Sequence, residues 1–224
     1  MQFRLSPTTL NSFLGCPLCF WLSYNKRIAL PSGPMPTITN GMDRVIKEYM
    51  DRYRLHGKIP PFLQGKVPGK LIEFLPKSLS ANLDGNMMTG RLDECLVLDN
   101  NLHAPLDHKT KGYAPRSEEV HEAYQLQMDC YTLLLEKNGH SINNTGYIVY
   151  YYPDFGELHE GVPFRVHATE IKTHPQRALK VFNDAIKCLE GDEPNPSKGC
   201  GTCEYVKERA DDHESHRKAE GHFS

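Results

Sequence analysis

The sequence has no apolar run long enough to span a bilayer, and its first residues, Met1-Gln2-Phe3-Arg4, lack the apolar core of a secretory signal. It has no internal repeat and no excess of basic residues, since its 224 residues carry a formal net charge of −2. Proteins that coat nucleic acid are usually strongly basic, so the global charge does not support such a role. We therefore expect a cytoplasmic protein without a membrane partner, and its function has to be inferred from local motifs.

The length and a hydrophobic content of 39% are sufficient for one sizeable core, so we expect a single domain over residues 1–224. Within it, residues 1–24 and 192–205 are expected to form a subregion that contains clustered cysteines. Residues 206–224 form a charged tail, for which the composition leaves open a short solvated helix or disorder.

Hydrophobic periodicity and turn residues predict alternating helices and strands. Helices are expected over residues 8–14, 40–54, 118–137 and 175–190. Strands are expected over residues 87–98 and 102–109, joined at Asp99-Asn100-Asn101, and over residues 145–152 and 162–168. This order predicts an α/β sandwich in which helices flank a central mixed sheet.

Two carboxylates and a lysine lie on the predicted hairpin. Asp93 falls in its first strand, and Asp107 and Lys109 fall near the end of its second. Because side chains alternate along a strand, Asp107 and Lys109 share a face, and strand pairing can place Asp93 beside them. Carboxylates of this kind bind Mg²⁺ or Mn²⁺ for phosphodiester hydrolysis, Lys109 would orient water or offset phosphate charge, and the His108 carbonyl is a further candidate ligand. Alternatively, Asp107 and Lys109 form an ordinary surface ion pair.

Three sequence segments resemble motifs of one nuclease family. Gly90-Arg91-Leu92-Asp93 and Leu106-Asp107-His108-Lys109-Thr110 resemble the G-x-x-D and D-Y-K-T motifs of RecB-like nucleases of the PD-(D/E)xK superfamily, and Gln127-Met128-Asp129-Cys130-Tyr131 resembles their Q-h-x-x-Y motif. The resemblance implies a restriction-endonuclease-like sandwich, with Gln127 and Tyr131 near the active site. Without these motifs, Tyr131 would be interpreted as a core residue and Gln127 as a surface residue.

One part of the family pattern is missing. RecB-like enzymes usually carry a histidine as an extra metal ligand in the helix before the strands, and the predicted helix at residues 40–54 contains none. Asp43 is the expected substitute, with Glu48 second. Either residue could also be a solvated helix carboxylate, because acidic residues are common in first turns.

Four of the seven cysteines form two C-x-x-C units, Cys16-Pro17-Leu18-Cys19 and Cys200-Gly201-Thr202-Cys203. Two such units supply four thiolates to one tetrahedral site, and the alternative is four unrelated buried thiols. The spacing alone favours structural Zn²⁺. Resemblance to CRISPR-associated RecB-like exonucleases instead implies a [4Fe-4S] cluster, which is our expectation, although those enzymes use one early and three late cysteines rather than two and two.

The combined motifs predict a metal-dependent DNA nuclease, which we expect to be an exonuclease on single-stranded or frayed ends in CRISPR adaptation or DNA repair. The resemblance implies a CRISPR integrase or a helicase as a possible partner. Two alternatives remain open at this point. The chain could be a catalytically weak nucleic-acid-binding module of the same fold with a structural zinc. It could also be a protein unrelated to nucleases in which a zinc ion joins the two C-x-x-C units.

Overall fold

The computed structural model describes residues 2–28, 37–115, 120–158 and 161–220, with backbone only over residues 213–220. The chain divides into two compact units. The first unit consists of Met1–Pro7 and Gly33–Phe182, and the second of Thr8–Ser32 and Asn183–Ser224. The single domain predicted from the sequence stays a prediction.

The described part of the chain contains eight strands and six α-helices. In chain order they are β1 (Arg4–Leu5), α1 (Pro7–Gly15), α2 (Pro17–Asn25), α3 (Thr37–Arg54), β2 (Lys70–Leu71), β3 (Leu79–Leu83), β4 (Asn86–Gly90), β5 (Glu94–Val97), β6 (His103–Thr110), α4 (Glu122–Lys137), β7 (Thr145–Pro153), β8 (Phe164–Lys172), α5 (Pro175–Glu190) and α6 (Gly201–Glu220). All eight strands belong to the first unit, whereas α2 and α6 belong to the second.

The strands of the first unit form two sheets. The larger sheet has the order β2-β5-β6-β7-β8, in which β6 and β7 are parallel and the other neighbours are antiparallel. The smaller sheet has the order β1-β4-β3, in which β1 and β4 are parallel. Mixed sheets with flanking helices confirm the predicted α/β class.

Helix α4 connects the two parallel strands β6 and β7, as parallel pairing requires a long crossover. Its side chains are buried on most sides, including those of Met128, Leu133 and Leu134. The helix begins after His121, whose Nδ1 accepts the N–H of Ala123 at 3.2 Å. It was predicted to begin at residue 118, but residues 116–119 lie outside the described residues.

Helix α3 packs against the face of the larger sheet that lies opposite α4. Ile46 and Met50 of α3 belong to one buried cluster with Leu96 of β5, Leu106 of β6 and Val149 of β7. Since even-numbered residues of β6 face α3, the odd-numbered residues Asp107 and Lys109 face the other way, toward α4. The alternation of β6 therefore decides which side chains can meet those of α4.

The predicted strand over residues 87–98 is wrong in one respect, because it is two strands in different sheets. β4 ends at Gly90, β5 begins at Glu94, and Asp93 lies in the connection between them. A Cβ added at Gly90 would come within 2.6 Å of Leu134 Cδ1 on α4, so the close approach of this helix favours glycine there. The predicted turn is present, with positive φ angles of 60° at Asn100 and 59° at Asn101.

The second unit contains one helix that the sequence did not predict. Helix α2 begins at Pro17, directly after Cys16, and proline is favoured at a first helical position. Its Trp21 Nε1 donates to the carbonyl of Gly191, and Asn25 Nδ2 donates to that of Leu189. Residues 206–220 of the charged tail, for which helix and disorder were both open, belong to helix α6, whose side chains are exposed over residues 204–212.

Candidate functional site

The pairing of β5 with β6 brings Asp93 to Asp107. Glu94 lies opposite Leu106 in this antiparallel pair, so the residue before Glu94 comes beside the residue after Leu106. The Oδ2 atom of Asp93 accepts the backbone N–H of His108 at 3.1 Å. Lys109 Nζ lies 2.5 Å from Asp107 Oδ2. The three residues predicted from the motifs are therefore neighbours in space.

Gln127 and Tyr131 of α4 complete one side of this group. Gln127 Nε2 donates to Asp107 Oδ1 at 3.0 Å and to the Tyr131 hydroxyl at 2.8 Å. The two residues are one helical turn apart, and a spacing of four places them on one face. Tyr131 is buried, as its interpretation as a core residue would also require, yet its hydroxyl points to the glutamine. The Q-h-x-x-Y segment thus contacts Asp107 directly.

Lys47 of α3 is a member of the group that the sequence did not reveal. Its ammonium lies 3.2 Å from Asp93 Oδ1 and 3.1 Å from Asp43 Oδ2. The spacing of Asp43 and Lys47 is that of a helical i, i+4 pair, which could have been found in the sequence. The contact with Asp93 could not, because it depends on how α3 packs on the sheet. Asp43, predicted as a substitute metal ligand, lies at the same cavity but is paired with Lys47, and its ligand role stays a prediction.

Burial and neighbouring charges affect the two carboxylates differently. Burial raises the pKa of Asp107 to about 7, the adjacent charge of Asp93 also raises it, and Lys109 opposes the shift. Burial would likewise raise the pKa of Asp93, but the charge of Lys47 and the N–H of His108 bring it below its usual value. Asp93 is therefore held ionised, whereas the charge of Lys109 is too small an influence to offset the effect of burial on the pKa of Asp107.

The side chain of His108 lies away from the carboxylates. Its Nδ1 is 3.1 Å from the Tyr151 hydroxyl, and its buried Nε2 has no hydrogen-bond partner among the described residues. Burial lowers the pKa of His108 to about 4, so the imidazole is neutral. Only the backbone of His108 lies between the two acidic residues, and the predicted role of its carbonyl as a metal ligand stays a prediction.

The carboxylates line an open cavity of about 270 Å³, which also contains residues of α3, β6 and α4. Asp107 Oδ2 is buried and forms an ion pair with Lys109, and it accepts no aligned hydrogen bond within the part of the chain that the structure describes. Two adjacent carboxylates at one cavity fit a hard divalent cation such as Mg²⁺ or Mn²⁺, which prefers oxygen ligands. The donor set therefore fits the metal that the motifs imply.

The second unit holds the four cysteines of the C-x-x-C units together. The Sγ atoms are 3.8 Å apart for Cys16 and Cys203, 3.7 Å for Cys19 and Cys200, and 3.4 Å for Cys19 and Cys203. All four lie within 4.8 Å of one another. The N–H of Ser197 donates to Cys16 Sγ at 3.4 Å. The predicted convergence on one metal site is thus present in the geometry.

The remaining cysteines, Cys95, Cys130 and Cys188, are outside this group; Cys95 and Cys130 are fully buried, and Cys188 is half-buried. Within the described ranges, the four cysteines are the one group of three or more His, Cys, Asp or Glu residues with ligand atoms close enough for a single ion. No helix in these ranges has the length and apolar character needed to cross a bilayer.

Comparison with known proteins identifies the family. The PD-(D/E)XK nuclease superfamily matches residues 69–207, more than half of the chain. No curated protein matches the sequence. The chain is similar to the crystal structure of SSO0001, with 17% identity and a TM-score of 0.47 over 87% of this chain and 79% of that one, a level that carries no argument about function. The matched segment contains every carboxylate, lysine and Q-h-x-x-Y residue predicted for the site except Asp43 and its alternative Glu48, and the chain belongs to the PD-(D/E)XK nuclease superfamily.

Proposed function

We propose that this chain is a metal-dependent deoxyribonuclease that hydrolyses phosphodiester bonds, acting as an exonuclease on single-stranded or frayed ends. The observation that carries the proposal is the contact of Asp93, Asp107 and Lys109 at one open cavity. Superfamily membership supports nuclease activity. The single-strand preference and a role in CRISPR adaptation or DNA repair, with an integrase or helicase partner, are supported only by the resemblance to RecB-like motifs.

In this proposal Asp93, Asp107 and the His108 carbonyl would hold Mg²⁺ or Mn²⁺. When bound, the ion lowers the pKa of a coordinated water and offsets the charge of the phosphate. Lys109 moves from Asp107 toward the scissile phosphate or the attacking water, where its ammonium stabilises negative charge. Gln127 fixes the orientation of Asp107, and Tyr131 in turn fixes Gln127 through its hydroxyl.

Two lysines beside the cavity support contact with a nucleic-acid backbone. Lys109 Nζ lies 4.9 Å from the centre of the Tyr124 ring, and Lys111 Nζ lies 4.6 Å from that of Tyr150. Aromatic rings hold ammonium groups in defined positions through cation–π attraction. Lys109 lies near the end of β6 and Lys111 directly follows the strand, a spacing of two residues that is suited to successive phosphates of one nucleic-acid strand.

The test is Mn²⁺-dependent release of nucleotides from end-labelled single strands, duplexes and RNA. Asp107→Asn and Lys109→Ala are each expected to lower the cleavage rate roughly 10³-fold, because each removes a group that stabilises charge in the reaction. Asp99→Asn, at an exposed turn, is the matched control and should cleave at the wild-type rate. Wild-type protein that shows no metal-dependent cleavage, or an unaffected Asp107→Asn variant, would overturn the proposal.

We further propose that the four cysteines hold one tetrahedral Zn²⁺. A Zn–S bond of about 2.3 Å places the sulfurs of a tetrahedral site about 3.8 Å apart, and the observed contacts are 3.4–3.8 Å. The [4Fe-4S] cluster expected from the family resemblance attaches each thiolate to a different iron, which requires the sulfurs to lie farther apart. The sulfur spacing thus supports the zinc alternative over the cluster.

Metal and sulfide analysis of anaerobically purified protein separates these two cofactors. We expect a colourless protein with equimolar zinc and no acid-labile sulfide. A brown protein with iron and sulfide in equal amounts would contradict the zinc proposal and support the cluster. Neither result depends on nuclease activity, so this test is independent of the one above.

The second candidate function is a nucleic-acid-binding module with little catalytic activity. The observation that favours it is the ammonium of Lys47 on Asp93, which competes with a metal for this carboxylate. Such a module would bind labelled single strands in a fluorescence anisotropy assay, and Asp107→Asn would change neither binding nor cleavage. A large loss of cleavage in that variant excludes this candidate.

A further inference from the structure

The acidic cavity contains two ammonium groups on different sides of its carboxylates. Lys109 of β6 contacts Asp107, and Lys47 of α3 lies between Asp93 and Asp43. Lys47 is half-exposed, so it does not need Asp93 as a partner to satisfy its charge. Its position therefore places a positive charge next to Asp93, between this carboxylate and that of Asp43.

The carboxylates around this cavity are too few and too dispersed for two ions. Nucleases with two ions hold them about 3.5–4 Å apart, with carboxylates that bridge or serve each ion. Asp43, Asp93 and Asp107 do not form a group with ligand atoms within reach of a single ion, as the only such group in the described residues is that of the cysteines. A second ion would therefore have to use Asp43, and it would meet the ammonium of Lys47.

We infer that Lys47 acts as a resident cation that restricts this centre to a single divalent ion, a conclusion that rests on the proposed nuclease function. The ion belongs between Asp93 and Asp107, and the ammonium of Lys47 takes the place of a second ion. Asp43 then neutralises Lys47 and binds no metal. Other nucleases bind a second divalent ion from solution, whereas in this chain the Lys47 ammonium of α3 supplies part of that positive charge.

Mn²⁺ titration followed by electron paramagnetic resonance tests the inference without reference to activity. The protein is used as purified, with its cysteine site filled. Wild-type protein should bind one Mn²⁺ that is lost in Asp107→Asn. Lys47→Glu replaces the cation with a carboxylate and should bind a second Mn²⁺, with the spectrum of a spin-coupled pair. Arg52→Glu makes the same charge change elsewhere on α3 and should still bind one.

A second variant tests the electrostatic effect of the ammonium. Lys47→Met removes the positive charge without adding a ligand, so its single Mn²⁺ should bind several-fold more tightly than in the wild type, because like charges no longer repel. Unchanged or weaker binding would overturn the inference. Two ions in the wild type, or one in Lys47→Glu, would also overturn it. If wild-type protein binds no Mn²⁺ that depends on Asp107, the result contradicts the proposed nuclease function itself and not only the role of Lys47.

Discussion

The acidic site and the cysteine site differ in how completely the protein supplies their ligands. The cysteine site offers four thiolates, the full set for a tetrahedral ion. The acidic site offers the two adjacent carboxylates of Asp93 and Asp107, which leave most positions of a Mg²⁺ ion open to water and substrate. Closed sites are typical of structural metals and open sites of catalytic ones. The comparison therefore assigns stability to the first and chemistry to the second.

The two sites also differ in what holds their side chains in place. The acidic site is fixed by strand pairing and by hydrogen bonds from α4, neither of which requires a metal. The cysteines come from segments at opposite ends of the sequence, and their sulfurs contact mainly one another. We expect the acidic site to persist without its ion and the second unit to lose stability without its metal.

The largest expected effect is on the cysteine site. Cys203→Ser removes one of four ligands, so bound metal should fall below half of the wild-type content. Because metal binding to such sites contributes directly to folding, the second unit should lose on the order of 5 kcal/mol. Metal analysis and thermal unfolding followed by circular dichroism measure both quantities. Cys188→Ser, in the same unit but outside the group, should keep full metal content, and a loss there would contradict the assignment of ligands.

The next effect concerns the support of the acidic site by protein contacts alone. Arg54 of α3 forms a buried ion pair with Glu94, the residue after Asp93. Arg54→Met leaves the Glu94 carboxylate buried without its partner, so the free energy of unfolding should fall by about 3–5 kcal/mol. Chemical denaturation measures this loss. Arg54→Met combined with Glu94→Gln should recover most of it, and a double variant as unstable as the single one would contradict the explanation.

The stability of Arg54→Met should depend on pH with a defined sign. Burial raises the pKa of Glu94 to about 7 even though Arg54 opposes the shift, so removal of Arg54 raises it further. The folded variant then retains a proton that the unfolded chain releases at lower pH. Its stability relative to the wild type should therefore fall as the pH rises above about 7, where Glu94 is ionised in the wild type and still protonated in the variant. A difference that does not change with pH would indicate that Glu94 is not the affected group.

The smallest expected effect distinguishes the two glutamines of α4. Gln127→Ala removes the hydrogen bonds to Asp107 and Tyr131, so cleavage at saturating Mn²⁺ should slow roughly 10-fold while stability falls by about 1 kcal/mol. Gln125 instead donates to Asp129 and to the carbonyl of Lys172. Gln125→Ala is thus the matched control and should keep the wild-type rate. Equal rates in both variants would contradict the role of Gln127.

Much of the fold could be predicted because its signals are local. Helix α5 was predicted with its observed ends, since Pro175 begins it and an apolar side chain recurs at helical spacing. The interruption of the strand at residues 91–93 could not be predicted in this way. Residues 91–93 contain neither glycine nor proline, and only the pairing of β4 with β3 and of β5 with β6 shows where one sheet ends and the other begins.

By itself, the sequence determined the superfamily and the cysteine group and predicted that Asp93, Asp107 and Lys109 lie close together, because strand alternation and motif spacing are properties of neighbouring residues. The tertiary structure alone decided that Lys47 lies on Asp93, that Gln127 rather than Gln125 contacts Asp107, and how closely the sulfurs approach. These contacts join segments far apart in the chain. Their distances depend on how helices pack on sheets, which local patterns do not specify.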